Sequence, residues 1–573
     1  MNAEGKNLCQ ANQSNSQPGA DEEALRLWAP QGPWDGPAIP LRDVFGTWAR
    51  RTPGKLALIC GDRRLTYADM EGLVAQATAA LQASGFKPGD RLAISAQNSV
   101  ELVVFYYALT SAGCIAVWVN PSYRGQELLF PLANTGARAL LVDDAGPVLD
   151  QVAEAKSSGG LPELECIYTR TEAEEESGAG SPLRVQTWES FIRAGDPTAA
   201  RPVEAADDDY AMIIHTSGAT GVPKGAPSTH WQCTNEGFHY ARALRTGPED
   251  VFLGALPMFH SFGFICLLNQ PFQLGATLVV MPEWNTGEGL RLIEEEKITV
   301  HPMAPTHYLL EMKHADFGQR DLTSMRTGLI SGYVPPRDLF DEIEQKYPGM
   351  VYSNFWGSSE TGPGLFSPYD ALREKRYFTV GRAVVGEEVR VADAESGEEL
   401  PLGTPGELQV RGPNVIREYW NNPEETQRHF HAGGWFKTGD MATLDEDGYV
   451  TIVGRIKDQI NRGGLKITPS DLEQEIQGFP GVEQVCVIGV PNPVLGESIC
   501  VCVVPTAGCQ LDLDQLRAFL ATRVARNHLP DELCLMDEFP RLSGGVKIDK
   551  YGKQGLRALV LAREDRQVYR KKK

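Results

Sequence analysis

No CxxC pair occurs among the 11 cysteines of this 573-residue chain, which are scattered from Cys9 to Cys534. Cys500 and Cys502 sit in a valine-rich apolar run, too close together for a usual zinc knuckle. An odd number of cysteines without a framework excludes a disulfide-stapled scaffold and implies reduced thiols in a cytoplasmic protein. Positive charge is also short: 54 Lys and Arg stand against 75 Asp and Glu, a net −21. That field repels phosphate backbones, which excludes a general nucleic-acid or anionic-membrane binder but not a local basic pocket. Residues 1–21 are polar, rich in Asn, Gln and Ser, and have no apolar stretch of the signal-peptide kind. Residues 1–24 therefore read as a flexible tail.

Long apolar runs are scarce. Leu102 to Val119 is uncharged over 18 residues, at the lower limit for a membrane span. Thr110, Ser111 and Gly113 interrupt it, and Asn120–Pro121 closes it. The pattern predicts a buried helix to about Ala112, a stop at Gly113, and a buried strand over Cys114–Val119. No internal repeat occurs, the acidic glycine-rich stretch Thr171–Ser181 reads as an exposed loop, and the terminal Arg-Lys-Lys-Lys reads as a solvated tail.

What is present is enough apolar content, 42%, to build a large core. From about residue 40 to 300, helical patterns alternate with short β-rich runs (LALIC, RLAISA, CIAVWV, ALLVDD, YAMIIH, VFLGALP, ATLVVMP), which predicts parallel α/β layers. After residue 378, EEVRVAD, GELQVRG and GYVTIVG are separated by Gly and Pro turns and predict a small β-rich subdomain. Beyond residue 455 the acidic helix PSDLEQEIQGF, the runs VEQVCVIGV and SICVCVV, and the helix DLDQLRAFLATRV form a compact α+β unit. The expected organisation is α/β: a large N-terminal domain over 25–455, in which β-sheets are layered with helices, and a small C-terminal α+β domain over 456–573.

The most informative segment follows the run YAMIIH. Thr216-Ser217-Gly218-Ala219-Thr220-Gly221-Val222-Pro223-Lys224-Gly225 holds three glycines, three hydroxyls and one lysine in ten residues, and a helical pattern follows it. Glycines permit close backbone approach and an anion-binding nest of N–H groups, and Lys224 offers a mobile charge to a polyphosphate. It is not a GxxxxGK[ST] loop, because Pro223 falls where the second glycine is required and Gly225 follows Lys224.

This loop resembles the [ST]SG[ST]TGxPKG signature of the adenylate-forming enzymes, which include acyl-CoA ligases and carrier-loading adenylation domains. Further segments resemble that family in order, from about Leu41 to Val560. Trp356-Gly357-Ser358-Ser359-Glu360 resembles YGxTE, Thr438-Gly439-Asp440 resembles TGD, and Gly454-Arg455-Ile456-Lys457-Asp458 resembles GRxKD. The resemblance implies that Trp356 lies against adenine, Ser359 bonds the α-phosphate and Glu360 holds Mg²⁺. It implies that Asp440 takes both ribose hydroxyls, that Arg455 reaches ribose or phosphate, and that Lys457 is the hinge of a mobile C-terminal domain. Thr216, Ser217, Gly218, Thr220, Gly221 and Lys224 would hold phosphate. Gly332 and Tyr333, after Ser331, would hold adenine through the backbone.

On the substrate side, Pro257-Met258-Phe259-His260-Ser261-Phe262-Gly263 resembles PMFHxxG. The resemblance gives His260 a place at the acyl channel, with Phe259, Phe262 and Gly263 forming its wall. Arg462-Gly463-Gly464 resembles the loop along the pantetheine path. The implied cofactors and substrates are ATP or AMP, Mg²⁺, CoA and a hydrophobic carboxylic acid, with no nucleic-acid partner and no membrane span.

Two departures fall on the adenylation half. Ala219 replaces a hydroxyl residue, and the family's P-x-T-x-x-G-K pattern, counted from Pro540, places Val546 where its lysine belongs. Either one residue is inserted and Lys547 supplies the catalytic cation, or the cation is out of register. The expected activity is an acyl-CoA ligase that activates a hydrophobic acid through an acyl-adenylate and transfers it to CoA, either complete or impaired in adenylation, in which case thioesterification of a supplied acyl-adenylate is its main reaction. A separate adenylating enzyme would then be a partner. The alternatives are an enzyme loading a carrier-protein phosphopantetheine and a nucleotide-binding pseudoenzyme or scaffold.

Overall fold

The computed structural model describes residues 39–171, 183–216, 223–331, 337–462, 465–493, 495–524, 526–541, 548–552 and 554–569. Among these, four sheets organise the chain. A seven-stranded sheet runs Arg184–Thr187, Cys166–Thr169, Ala139–Val142, Arg91–Ser95, Ile115–Trp118, Tyr210–Thr216, Lys224–Thr229. All its pairings are parallel except the last. A nine-stranded sheet has a parallel centre containing Val251–Gly254, Thr277–Val280, Val300–Met303, Thr327–Ile330 and Val351–Ser358. Antiparallel strands close both of its ends. Each of the seven β-rich runs read before residue 300 is a strand.

The apolar stretch after Leu102 divides as expected. A helix spans Val100–Ser111, with Ser99 accepting a cap bond from Leu102 N at 3.1 Å. Gly113 then turns the chain at φ +73°, where a Cβ would sit 3.1 Å from Pro88 Cβ. The strand Ile115–Trp118 follows, buried on every residue because both faces of the parallel sheet are covered. No helix among the described residues is long and apolar enough to cross a membrane. The ten cysteines among them are free thiols, most of them buried.

One sequence expectation changes. The glycine-rich loop does not lead directly into a helix, because the strand Lys224–Thr229 intervenes and pairs antiparallel with Tyr210–Thr216, from Thr216↔Lys224 to Tyr210↔Thr229. The helix starts only at His230, where Thr229 and Gln232 form a reciprocal capping box. Residues 217–222 therefore connect two paired antiparallel strands rather than a strand and a helix.

The later β-rich region is a four-stranded antiparallel sheet, Glu388–Ala392, Gly406–Arg411, Phe436–Leu444 and Val450–Arg455. Beyond it, strands including Ile460–Arg462, Val482–Asn492 and Gly496–Pro505 form a sheet with its own apolar clusters. Ile460, Leu472, Ile476, Val501 and Leu516 are central to one of them. The large core of the N-terminal layers extends from Ile39 to Val384 and contains none of these residues.

Candidate active site

Two of the expected site segments lie just after the carboxyl ends of strands with parallel neighbours, where open α/β sheets place their ligands. Tyr210–Thr216 ends at the glycine-rich loop, and Val351–Ser358 ends at the turn carrying Glu360. The two ends meet: Thr216 Oγ1 donates to Glu360 Oε1 at 3.1 Å, across 144 positions of sequence. Tyr419 OH donates to the same oxygen at 3.1 Å, and Ile416 N donates to the Glu360 carbonyl at 2.8 Å. Burial, with Glu360 beside it, holds the Tyr419 hydroxyl well above its ordinary pKa, so it remains a donor. Oxygen donors of this kind fit Mg²⁺, which binds through one or two carboxylates together with substrate phosphates.

The turn around Glu360 is fixed by small residues. A Cβ on Gly357 would lie 2.3 Å from the Gly362 carbonyl oxygen, so no larger residue fits. Ser358 N donates to Thr361 Oγ1 at 3.1 Å, and Ser359 is half-buried between them in sequence.

Asp440 lies on the neighbouring four-stranded sheet, 4% exposed. Its Oδ2 accepts from Trp356 Nε1 at 2.8 Å, and its Oδ1 accepts from Arg455 Nε at 2.7 Å. Trp356, Asp440 and Arg455, predicted separately, thus form one hydrogen-bonded unit. Lys457 is exposed in the single helical turn Ile456–Asp458 that leads to the C-terminal sheet.

Lys224 is not a free cation. It is 6% exposed, forms a short ion pair with Glu425, approaches His429 Nε2 at 3.3 Å and lies 5.3 Å from the Tyr419 ring centroid. The Lys224 bond holds the Glu425 carboxyl below its ordinary pKa. A polyphosphate reaching this ammonium would compete with Glu425. Tyr419, Glu425 and His429 were not anticipated from sequence, since nothing near them marks a partner some 200 positions away.

Phe259 and Phe262 are half-buried, and His260 is exposed with its Nδ1 accepting from Phe262 N at 3.3 Å. The Phe262 ring packs on Phe355 at 4.9 Å, immediately before Trp356. Gly263 has no room for a side chain, since a Cβ would sit 2.0 Å from the Pro257 carbonyl oxygen. Asn98, also unanticipated, anchors the segment: its Oδ1 accepts from Met258 N at 2.9 Å and its Nδ2 donates to Leu256 O at 2.8 Å.

Arg462 is engaged within the C-terminal sheet, donating two bonds to Asp531 at 2.7 and 2.9 Å. Ser217, Gly218, Ala219, Thr220, Gly221, Gly332, Tyr333, Gly463, Gly464, Val546 and Lys547 lie outside the described residues. Their flanks are ordered: Arg541 and Ile548 form an antiparallel bridge, and Asp549 N donates to Pro540 O at 2.8 Å. Lys550 Nζ bonds Glu473 Oε1 at 3.1 Å and lies 4.0 Å from Asp458. Burial opposes its charge, but Cys486, Glu473 and Asp458 outweigh that and raise its pKa.

A layered α/β body that brings Thr216, Glu360 and the Asp440–Arg455 pair to strand ends fits a nucleotide-binding enzyme. The AMP-binding enzyme family signature matches residues 45–420, and that family's C-terminal domain matches 471–545. The chain belongs to this family of adenylate-forming enzymes, in its acyl-CoA ligase branch, and is an acid–thiol ligase that works through an acyl-adenylate. It is 34% identical over 513 residues to a feruloyl-CoA synthase from Amycolatopsis sp, covering 87% of this chain and 96% of that protein. A mitochondrial medium-chain acyl-CoA ligase from Homo sapiens is 30% identical over 539 residues, covering 88% of this chain and 85% of that one. The crystal structure of ATP-bound MatB from Rhodopseudomonas palustris superposes with a TM-score of 0.78 at 28% identity, over 91% of this chain and 98% of that one.

Proposed function

We propose that the protein joins a hydrophobic carboxylic acid to CoA in the cytoplasm, and that adenylation is the weaker of its two half-reactions. In the first, a carboxylate oxygen bonds to the α-phosphorus of ATP as the bond to the β-phosphate oxygen breaks and pyrophosphate leaves. In the second, the CoA sulfur bonds to the acyl carbon, the bond to the AMP oxygen breaks, and the thiol proton is lost.

Thr216 and Glu360 face the α-phosphate in this reading, and Asp440 holds the ribose while Trp356 covers adenine. Mg²⁺, held by Glu360 with the phosphates, would supply charge neutralisation during phosphoryl transfer. Lys457 is the pivot between a domain ending near Arg455 and the C-terminal domain, and Arg462, Gly463 and Gly464 border the CoA thiol. CoA rather than a carrier protein is the acceptor, in keeping with the relatives above. The single observation that carries the nucleotide reading is the Thr216–Glu360 bond, which brings the glycine loop and the acidic turn to one point.

Weak adenylation is supported by Ala219, by the position of Val546, and by the burial of Lys224 on Glu425. Bringing two anions together needs a well-placed cation, and a misplaced one costs on the order of 10² to 10⁴ in rate. A complete ligase is the second reading. It is favoured by the anchoring of Ile548 and Lys550, which puts Lys547 directly beside a fixed residue.

A two-arm assay tests the choice. One arm supplies acid, Mg-ATP and CoA, and the other supplies preformed acyl-adenylate and CoA. Acyl-CoA from the second arm only, or at least about 100-fold faster there, is expected; equal rates in both arms would establish the complete ligase.

A further inference from the structure

A buried carboxyl lies outside the machinery described so far. Glu236, on the helix His230–Leu244, is 2% exposed, and its Oε2 has no hydrogen-bond partner among the described residues. It does not stand alone. One helical turn on, the Tyr240 hydroxyl is buried and unpaired. One turn back, Cys233 lies beside the Tyr106 hydroxyl, which has no conventional partner. Trp118 Nε1, whose ring lies 5.6 Å from Tyr106, is likewise unpaired. Buried polar atoms are nearly always satisfied, so several orphans facing one region point to a group that arrives from outside the chain.

The location fits the acyl group. A Cβ on Gly362 would lie 2.6 Å from Glu236 Oε1, so the carboxyl touches the turn that follows Glu360. Tyr240 packs on Phe355 at 5.1 Å, and Phe355 packs on Phe262 of the segment expected to line the acyl channel, at 4.9 Å. Against the same helix, Phe264–Asn269 winds as a π-helix, a form concentrated at functional sites. Phe264 approaches Tyr106 at 5.3 Å and Trp118 at 5.8 Å, and Asn269, whose Nδ2 donates to Cys233 O at 2.8 Å, has a further buried oxygen, Oδ1, unpaired among the described residues.

We propose that Glu236 is a specificity-determining residue. It selects hydrophobic acids that carry a hydroxyl at the end remote from the reacting carboxylate, and Tyr240 is the second hydrogen-bonding group. Burial pushes the Glu236 carboxyl up to about 8, so at neutral pH it is mainly the uncharged acid, able both to donate and to accept. A neutral hydroxyl complements such a group, whereas an ammonium would require it to ionise. An apolar terminus would leave Glu236 and Tyr240 unpaired, which is why a site of this kind discriminates against the deoxy analogue.

This inference rests on the acyl-CoA ligase reading, and the test separates the two. Wild type, Glu236→Gln and Glu236→Leu are given matched pairs: 4-hydroxycinnamate and cinnamate, 4-hydroxybenzoate and benzoate, and ω-hydroxy and plain medium-chain acids. Each acid is supplied both free with ATP and as its adenylate. Wild type should favour the hydroxylated member of at least one pair by about tenfold or more in kcat/KM. Glu236→Gln, which can still bond a hydroxyl, should keep the preference, and Glu236→Leu should abolish or reverse it. Calorimetric titration of the same acids in the presence of AMP reads the preference even if no thioester forms. Thioester formation with no discrimination within any pair, or a preference unchanged by Glu236→Leu, would overturn the inference while leaving the ligase standing. A preference for amino-substituted acids would overturn it too. Absence of thioester from every acid and adenylate, with discrimination retained in binding, would remove the ligase reading alone.

Discussion

Arg455 and Asp440 are cross-strand partners, and the Arg455 Nε donates to Asp440 Oδ1 at 2.7 Å at the last paired position before the chain leaves for the C-terminal sheet. The carboxylate assigned to the ribose therefore has one oxygen on Arg455, two residues before the proposed hinge, and the other on Trp356. Nucleotide capture and domain rotation would meet at this bond, since a ribose taking both oxygens displaces Arg455, two residues before Lys457, and frees its guanidinium.

Replacing Arg455 by Ala removes the guanidinium that, once released, is expected to reach ribose or phosphate, and should weaken AMP binding by about 10- to 100-fold, because charge-assisted bonds are worth about 1.5–3 kcal/mol. Trp356→Phe keeps an aromatic ring for adenine and loses an Nε1 bond that the ribose itself would displace from Asp440, so it should cost less. Isothermal titration with AMP measures both, and equal losses would contradict the stacking role given to Trp356.

Lys224 and Glu425 form a buried pair, and removing one partner leaves the other charged and unsatisfied. Lys224→Met should destabilise the protein by about 2–4 kcal/mol, moderated because Arg428 also bonds Glu425. The Glu425 carboxyl is held below its ordinary value, so the stability it contributes is fully present above the usual carboxylate range. That stability is lost as pH falls through the lowered value. Thermal denaturation from pH 7 to 3 should show wild type converging on Lys224→Met as acid is added; a constant gap would mean that the pair is not the source.

Much of this architecture was legible because it is local. The alternation of β-rich runs with helical patterns, the Gly113 stop after an apolar helix, and the antiparallel sheet after residue 378 follow from periodicity and turn residues within short windows. Trp356, Glu360, Asp440 and Arg455 were recognisable from short signatures in order. The partners of those residues were not. Tyr419 on Glu360, Glu425 on Lys224 and Asn98 under Met258 are contacts between distant segments, and no local pattern encodes them. The strand Lys224–Thr229 escaped for a related reason: Gly225, Ala226 and Pro227 have little strand propensity, and pairing with Tyr210–Thr216 overrides it.

Glu236 titrates with the opposite sign to Glu425. Its folded pKa of about 8 exceeds the ordinary carboxylate value, so between roughly pH 4.5 and 8 the folded state binds more protons than the unfolded one. Stability should fall as pH rises through that window and level off above it. Glu236→Leu, an apolar group of similar size in an apolar site, should remove this slope and raise the melting temperature most at the alkaline end. Parallel melting curves at pH 5 and pH 8 would decide it, and an unchanged slope would show that another group titrates there.

The loop before Lys547 gives the sharpest test of the adenylation half. Ile548 is bridged to Arg541, and Lys550 is tied to Glu473, so the register is fixed on the C-terminal side of the extra residue. Deleting Val546 restores the family spacing from Pro540 and moves the lysine of position 547 one place closer to it, without altering the anchors at 548–550. If the added residue is what slows adenylation, the deletion should raise ATP–pyrophosphate exchange by about tenfold or more, and Ala219→Thr should add to it by restoring the hydroxyl of the family signature. Thioesterification from preformed adenylate should not change, because in the proposed mechanism the acyl group is already activated and addition of the thiol needs positioning rather than this cation. No gain in exchange, with thioesterification intact, would mean that the loop already accommodates the insertion and that Lys547 reaches the reacting oxygens as it stands.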